Sequence, residues 1–79
     1  MSNKIKQELK LRIFDHNRIR SRREKLRLSQ VKLAVNAGLT REHLIEIEKG
    51  RSKPRADMLA KIAGALKVKE SYFFVNSVR

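Results

Sequence analysis

Wound at about 100° per residue, the segment from Arg41 to Lys49 sorts its side chains by chemistry. Arg41, Glu42, Ile45, Glu46 and Lys49 fall on one side, and His43, Leu44, Ile47 and Glu48 fall on the other. Arginine offers paired N–H donors and glutamate offers acceptors. On a short exposed helix such a set suits the major groove of duplex DNA, where arginine can read guanine and glutamate can accept from cytosine N4. The same residues also suit a solvated outer face laced with ion pairs, and the helix taken alone is better explained that way.

The charge distribution shifts the balance. The 79 residues carry 20 Lys and Arg against 8 Asp and Glu, a formal charge of +12, which calls for an anionic partner. Residues 1–23 contribute +6, residues 24–28 +1, residues 29–50 nothing and residues 51–79 +5. The candidate reading unit is neutral and its flanks are basic. Phosphate contacts supply attraction and register while base contacts specify, so a neutral reader between basic clamps fits sequence-selective duplex binding. A membrane-surface protein would instead line one long amphipathic helix with Lys and Arg opposite Trp or Phe. This chain has no Trp, and Tyr72, Phe73 and Phe74 cluster near its C-terminus. RNA-reading modules expose stacking aromatics, and only four aromatic residues exist here.

Other function classes are disfavoured by what the chain lacks. With no cysteine there is no disulfide or thiolate metal site, which fits a reducing compartment. His16 and His43 have no carboxylate pair at ligand spacing and no glycine-rich phosphate loop beside them, so catalysis, a metal and a cofactor are all unexpected. The first residues lead into no apolar run like that of a signal peptide, and no stretch approaches bilayer-spanning length. We therefore expect a cytoplasmic protein with no membrane association and one small core, burying about 60% of the unfolded surface.

The elements that position the reading face are written locally. Ser29 and Thr40 stand where a hydroxyl can cap a helix start, and each follows a leucine, Leu28 or Leu39, placed five residues before Leu33 or Leu44 at hydrophobic-staple spacing. Gly38 between the two segments can take the left-handed backbone of a tight αα corner. Upstream, Asp15 or Asn17 can cap a helix whose stripe runs Ile19, Arg23, Leu26. Downstream of Gly50 lies the basic loop Arg51-Ser52-Lys53-Pro54-Arg55. A helix then runs from about Ala56 to Leu66 with Leu59, Ile62, Ala63 and Leu66 at core spacing, and a last turn or short helix holds Tyr72, Phe73 and Phe74. In residues 1–16 the alternation around Leu9, Leu11 and Ile13 would allow a strand, but Ile5, Leu9 and Ile13 also fit one helical stripe, and helix is the reading we prefer. Lys4, Lys6, Lys10 and Arg12 would make this segment either an arm lying along DNA or a solvated tail.

This ordered set resembles the phage repressor-type, Cro and XRE-like helix-turn-helix family. The matching residues run from Ile19 to Phe74 and include Arg23, Leu28-Ser29-Gln30, Leu33-Ala34, Gly38-Leu39-Thr40, Leu44, Ile47-Glu48-Lys49-Gly50, Pro54, Leu59, Ile62-Ala63, Ala65-Leu66 and Val68. The resemblance implies an all-α, compact five-helix domain of the lambda-repressor-like fold over residues 17–75. Helices two and three would form the helix-turn-helix, a basic arm or extra helix would occupy residues 1–16, and residues 76–79 would be a tail. It gives Arg41, Glu42, Ile45 and Glu46 the base-reading positions, and gives Gln30, Lys49, Arg51, Ser52, Lys53 and Arg55 to phosphate. His43 sits where members often carry a hydroxyl residue, and its angle turns it partly inward.

Glu48 lies on the inward side, where an unpaired carboxylate is costly. In the resembling family an arginine at the Arg23 position meets a glutamate at the Glu48 position, so the two are expected to be an architectural ion pair. Two departures stand out. Arg27 occupies a position where a glycine often ends the first helix, and Glu42 and Glu46 bring two carboxylates towards DNA, penalising non-cognate sequence. The function implied is that of a sequence-specific double-stranded DNA-binding transcriptional regulator. It would act as a repressor, binding an inverted-repeat operator as a homodimer with half-sites about 34 Å apart. The alternative is an antitoxin-type interaction protein that binds a protein partner as well as its operator, using an apolar surface at Tyr72, Phe73, Phe74 and Val75.

Overall fold

The computed structural model describes residues 10–78. Its elements in order are strand β1 (Lys10–Phe14), helices α1 (Asn17–Lys25), α2 (Gln30–Ala37), α3 (Arg41–Glu48) and α4 (Ala56–Leu66), a 3₁₀ turn (Glu70–Phe73) and strand β2 (Phe74–Val78). The described residues thus hold four α-helices and a two-stranded ribbon, where the sequence reading expected five helices. β1 and β2 pair antiparallel, from Lys10 opposite Val78 to Phe14 opposite Phe74. The helical stripe proposed through Ile5, Leu9 and Ile13 fails at its described end, because Lys10–Phe14 is extended; Ile5 and Leu9 lie outside the described residues. Two-residue periodicity wins there because a partner strand is present. Phe14 and Phe74 meet edge-to-face at 5.6 Å and both pack against the core, while Ile13 on the opposite face remains 47% exposed. The expected last helix shortens to the 3₁₀ turn because the aromatic and β-branched run that follows it continues into β2.

The core is a single cluster built from the inward stripes of all four helices and the 3₁₀ turn. Ile19, Leu33, Leu44, Ile47, Ile62, Leu66 and Phe73 are fully buried. α2 and α4 supply the broadest helix–helix contact, and α3 crosses α2 after the Gly38 corner. Ser29 Oγ accepts the Lys32 N–H at 3.0 Å and Thr40 Oγ1 accepts the His43 N–H at 3.1 Å. Leu28 and Leu39 pack against the core cluster that contains Leu33 and Leu44. α1 starts after Asp15, whose Oδ1 accepts the Asn17 N–H at 3.0 Å.

All four helices end the same way. In each, an N–H reaches back five residues to a carbonyl: Leu28 to Arg23, Leu39 to Ala34, Arg51 to Glu46 and Val68 to Ala63. The residue before that donor is left-handed in every case: Arg27 at φ 58°, Gly38 at 72°, Gly50 at 78° and Lys67 at 59°. This is the Schellman arrangement, and it satisfies carbonyls that a helix end would otherwise leave unpaired. Two of the four positions carry a side chain, so the left-handed turn sought after α1 is present but strained.

Two outcomes follow for thermal melts. Arg27→Gly relieves a left-handed penalty of about 1–2 kcal/mol against an unfolded-state cost of about 0.5–1 kcal/mol, so the melting temperature should rise by a few degrees; an unchanged or lower value would refute strain at this turn. A Cβ at Gly38 would meet nothing within 4 Å, whereas one at Gly50 would lie 2.6 Å from His16 Nε2. Gly50→Ala should therefore lower the melting temperature more than Gly38→Ala, and equal losses would show that the His16 ring does not fill this space.

Candidate nucleic-acid interface

α3 is positioned from below by hydrophobic burial and from one end by an ion pair. Leu44 and Ile47 are fully buried on its inner side, and Glu48 is 6% exposed beside them. Arg23 on α1 meets Glu48 through two hydrogen bonds, Nε to Oε2 at 2.7 Å and Nη2 to Oε1 at 3.1 Å. The third Arg23 nitrogen, Nη1, donates to the Leu28 carbonyl at 3.0 Å. Gln30 Nε2 adds a further donor to Glu48 Oε1 at 3.2 Å. One carboxylate thus ties together α1, the start of α2 and the end of α3. Burying it would be costly if it were not fully hydrogen-bonded, and no buried side-chain polar atom lacks a partner among the described residues.

The opposite side of α3 faces out. Arg41 and Glu42 are exposed on its first turn, Ile45 and Glu46 are half-buried along its flank, and Lys49 is exposed at its C-cap. His43 is half-buried. The loop after α3 folds back on this side. The N–H groups of Arg51 and Ser52 both donate to the Glu46 carbonyl, at 2.9 and 3.2 Å, and Arg51 Nη1 lies 3.4 Å from Glu46 Oε2. Arg51, Lys53 and Arg55 are exposed, Ser52 is half-buried and Pro54 is buried, anchoring the loop while its cations point to solvent. Of the residues assigned to phosphate from the sequence, Gln30 stands apart, since its amide is engaged by Glu48. It lines a cleft of about 410 Å³ with Arg20, Ile45 and Lys49, directly over the buried pair.

Several residues with structural work were not singled out by sequence reasoning. Arg18 donates to the Tyr72 carbonyl at 3.0 Å with its guanidinium 5.7 Å from the Tyr72 ring, and Arg22 donates to the Leu66 carbonyl at 3.0 Å at the end of α4. Part of the basic flank of α1 therefore caps the protein's own carbonyls. His16 Nδ1 lies 2.7 Å from the Glu48 carbonyl oxygen and its ring packs against Gly50, so the junction of β1 and α1 holds the end of α3. No local pattern announces this contact, which spans 32 positions; only the glycine at position 50 hints that something approaches closely. The aromatic cluster also divides. Phe73 is fully buried and Phe74 packs against the core, whereas Tyr72 is 36% exposed and Val75 half-buried, so only part of the apolar surface read from Tyr72 to Val75 faces out. Lys4 and Lys6 of the expected arm lie outside the described residues. Among the described residues no group of three His, Asp or Glu could hold a metal ion, and no helix is long and apolar enough to cross a membrane.

Comparison with known proteins adds an independent line. A family model described as Helix-turn-helix matches residues 19–73. An uncharacterised helix-turn-helix-type transcriptional regulator of Mycobacterium tuberculosis is 39% identical over 59 residues, which are 75% of this chain and 42% of that protein. The immunity repressor protein of Bacillus phage phi105 is 41% identical over 54 residues, 68% of this chain and 38% of its own length. The chain thus spans less than half the length of these relatives. Among solved structures, the P22 c2 repressor in complex with a synthetic operator superposes with a TM-score of 0.71 at 28% identity, covering 73% of this chain and 88% of that one.

The two glutamates on either side of α3 should respond unequally to removal. Glu48→Ala leaves the Arg23 guanidinium buried without its carboxylate, a loss of about 3–5 kcal/mol that should strongly depress the melting temperature. Glu46→Ala removes only an exposed contact to Arg51, worth less than about 1 kcal/mol, and should melt near the parent. Equal melting temperatures for the two variants would refute the division between an architectural and an outward carboxylate.

Proposed function

This chain belongs to the helix-turn-helix family of DNA-binding transcriptional regulators, and from that premise we propose that it is a repressor that reads duplex DNA with the outward side of α3. Arg41, Glu42, Ile45 and Glu46 approach base edges, while Lys49 and the loop cations Arg51, Lys53 and Arg55, with Ser52, hold phosphate. The observation that carries this reading is the division of α3 itself. Its underside is locked by Leu44, Ile47 and the Arg23–Glu48 pair, yet Arg41 and Glu42 on its first turn stay exposed with no structural task beneath them. A rigid base with free tips is what base reading requires.

Two comparisons support the direction of the proposal: a phage immunity repressor among the relatives, and a repressor bound to its synthetic operator among the solved structures. Gln30 contributes by holding the start of α2 against Glu48, with its phosphate contact made from the cleft it shares with Arg20 and Lys49. A single α3 reaches only a few base pairs. We therefore propose binding as a homodimer to an inverted repeat with half-sites about one helical turn, 34 Å, apart. The two outward carboxylates sharpen discrimination, because each is repelled by the duplex unless it meets a donor such as cytosine N4.

Selection of bound sites from a random duplex library tests the proposal. A pseudo-palindromic sequence should emerge, on which Arg41→Ala costs about 1–3 kcal/mol and relaxes preference at one position, whereas Lys53→Ala should weaken cognate and random duplexes alike. Failure to enrich any sequence, or identical effects of both variants on cognate and random DNA, would overturn base reading by α3.

A further inference from the structure

The backbone of β2 is bonded along one side only. The Asp15 N–H donates to the Phe73 carbonyl at 2.7 Å, one pair beyond the Phe14–Phe74 end of the ladder. Opposed residues of an antiparallel pair alternate between bonded and unbonded, so Val75 and Ser77 turn their backbone groups to β1, while Phe74, Asn76 and Val78 turn theirs to the outer edge. The Phe74 N–H is returned to the Ser71 carbonyl of the 3₁₀ turn. The N–H groups of Asn76 and Val78 and the carbonyls of Phe74 and Asn76 thus face away from the ribbon. Among the described residues no third strand lies beside them, no helix packs broadly on either strand, and Asn76 is exposed. On the face turned from Phe14 and Phe74, Ile13 is 47% exposed opposite half-buried Val75. A two-stranded ribbon with an open apolar face is marginal by itself, whereas three or more strands hold together.

Charge decides what can lie against this edge. β2 carries no charged residue, while β1 carries Lys10 and Arg12. Cations protect an edge from pairing, and β2 has none of that protection. A second copy brings its own +12, so it can approach only where cations stay apart. Joining β1 to β1 about its midpoint would set Arg12 opposite Arg12 at about 5 Å; joining β2 to β2 separates the two Arg12 positions by three strand spacings, about 14 Å, beyond the screening length of about 8 Å. The edge also complements itself. A two-fold axis normal to the sheet at Asn76, the midpoint of β2, lets the two Asn76 backbones exchange N–H and carbonyl, and lets each Val78 N–H reach the Phe74 carbonyl of the other copy. The same axis keeps the Ile13 and Val75 pairs of both copies on one face.

We propose that β2 pairs with β2 of a second copy across a two-fold axis at Asn76, making one antiparallel sheet of four strands in the order β1-β2-β2-β1. The inference rests on the homodimer reading above and names its surface. The ribbon then has a task beyond closing the core, because it joins the two reading units.

The test measures the oligomeric state of the whole chain by sedimentation equilibrium, without DNA, over a series of protein concentrations. The parent should sediment as a concentration-dependent dimer. Asn76→Pro removes the central outward N–H and spares the ladder to β1, so it should raise the dissociation constant at least tenfold, while Asn76→Thr, which keeps the N–H, should dimerise like the parent. Arg12→Pro makes the same change at the outer edge of β1 and should leave the dimer intact. Melting curves verify folding of each variant. A second readout is independent of proline. The chain has no cysteine, so the single thiol of Asn76→Cys should be coupled to its copy by a short bis-maleimide, whereas that of Ile13→Cys, about 14 Å from its copy, should couple at least tenfold more slowly. A parent that stays monomeric throughout, an undiminished dimer in folded Asn76→Pro, or equal coupling of the two thiols would overturn the join; the first would leave the edge to a strand of another protein. Each of these leaves the α3 reading standing where site selection still enriches a sequence. A dimer joined at Asn76 that enriches none would overturn that reading and keep the join.

Discussion

The Arg23–Glu48 pair is the constraint on which the geometry of this molecule depends. An isolated buried charge is expensive, and even a buried pair gives little net stability over well-packed apolar residues. What the pair supplies is position. The Glu48 carboxylate collects donors from Arg23 and Gln30, and Arg23 in turn reaches the Leu28 carbonyl, so α1, the α1–α2 turn, α2 and α3 are all referred to one point. The backbone carbonyl of the same residue takes His16, which brings the β1–α1 junction to that point as well. Any tilt of α3 would break hydrogen bonds in a site that water reaches poorly. Leucine and isoleucine beneath α3 could slide over one another at small cost; the ion pair cannot.

Around that point the chain stops each helix with the same backbone device. A left-handed residue lets the next N–H return five residues to a carbonyl, and a glycine is the easiest residue to place there. Gly38 and Gly50 occupy the two ends nearest α3, the second with the His16 ring where a side chain would stand. Arg27 and Lys67 occupy the ends of α1 and α4 at a conformational cost, and both are long, exposed cations. A positive charge near a helix C-terminus is favoured by the unpaired carbonyls, which offsets part of that cost. The chain is thus least strained at the helix ends that flank α3 and tolerates strain at the other two.

What the sequence made legible, and what it hid, follows from the range of each interaction. Ser29, Thr40, Gly38 and the leucines at staple spacing act within one helical turn, so their types and order reveal α2 and α3 almost to the residue. The inward stripe of α4 is equally local, and its bounds, Ala56 and Leu66, are the ones its spacing suggested. The ribbon is not local. Lys10–Phe14 reads as strand or helix until Phe74–Val78 is beside it, and no feature of either segment names the other. The basic flanks mislead for a related reason. A count of charges cannot tell an arginine directed to solvent from Arg18 or Arg22, whose guanidinium groups bond the Tyr72 and Leu66 carbonyls across the fold. The side of α3 that faces out was readable from helical angle alone, because burial of Leu44 and Ile47 forces the opposite side outward.

This reallocation of charge bears on how the protein divides affinity from specificity. With Arg18, Arg22 and Arg23 bonded to the protein itself, the loop after α3 keeps Arg51, Lys53 and Arg55 exposed, next to Lys49 at the helix end. Four cations thus stand exposed beside the end of α3, while Arg20 and Lys25 stay exposed on α1. Arg41 and Glu42 sit at the other end of the helix and Glu46 between; under the proposed DNA reading, the carboxylates that would repel a mismatched duplex are carried by a rigid element whose base lies against the cationic loop. A chain of net charge +12 would bind any polyanion if all its cations were free. Glu48 neutralises Arg23 and fixes α3, whereas Arg18 and Arg22 keep their charge with part of their N–H donors occupied by internal carbonyls.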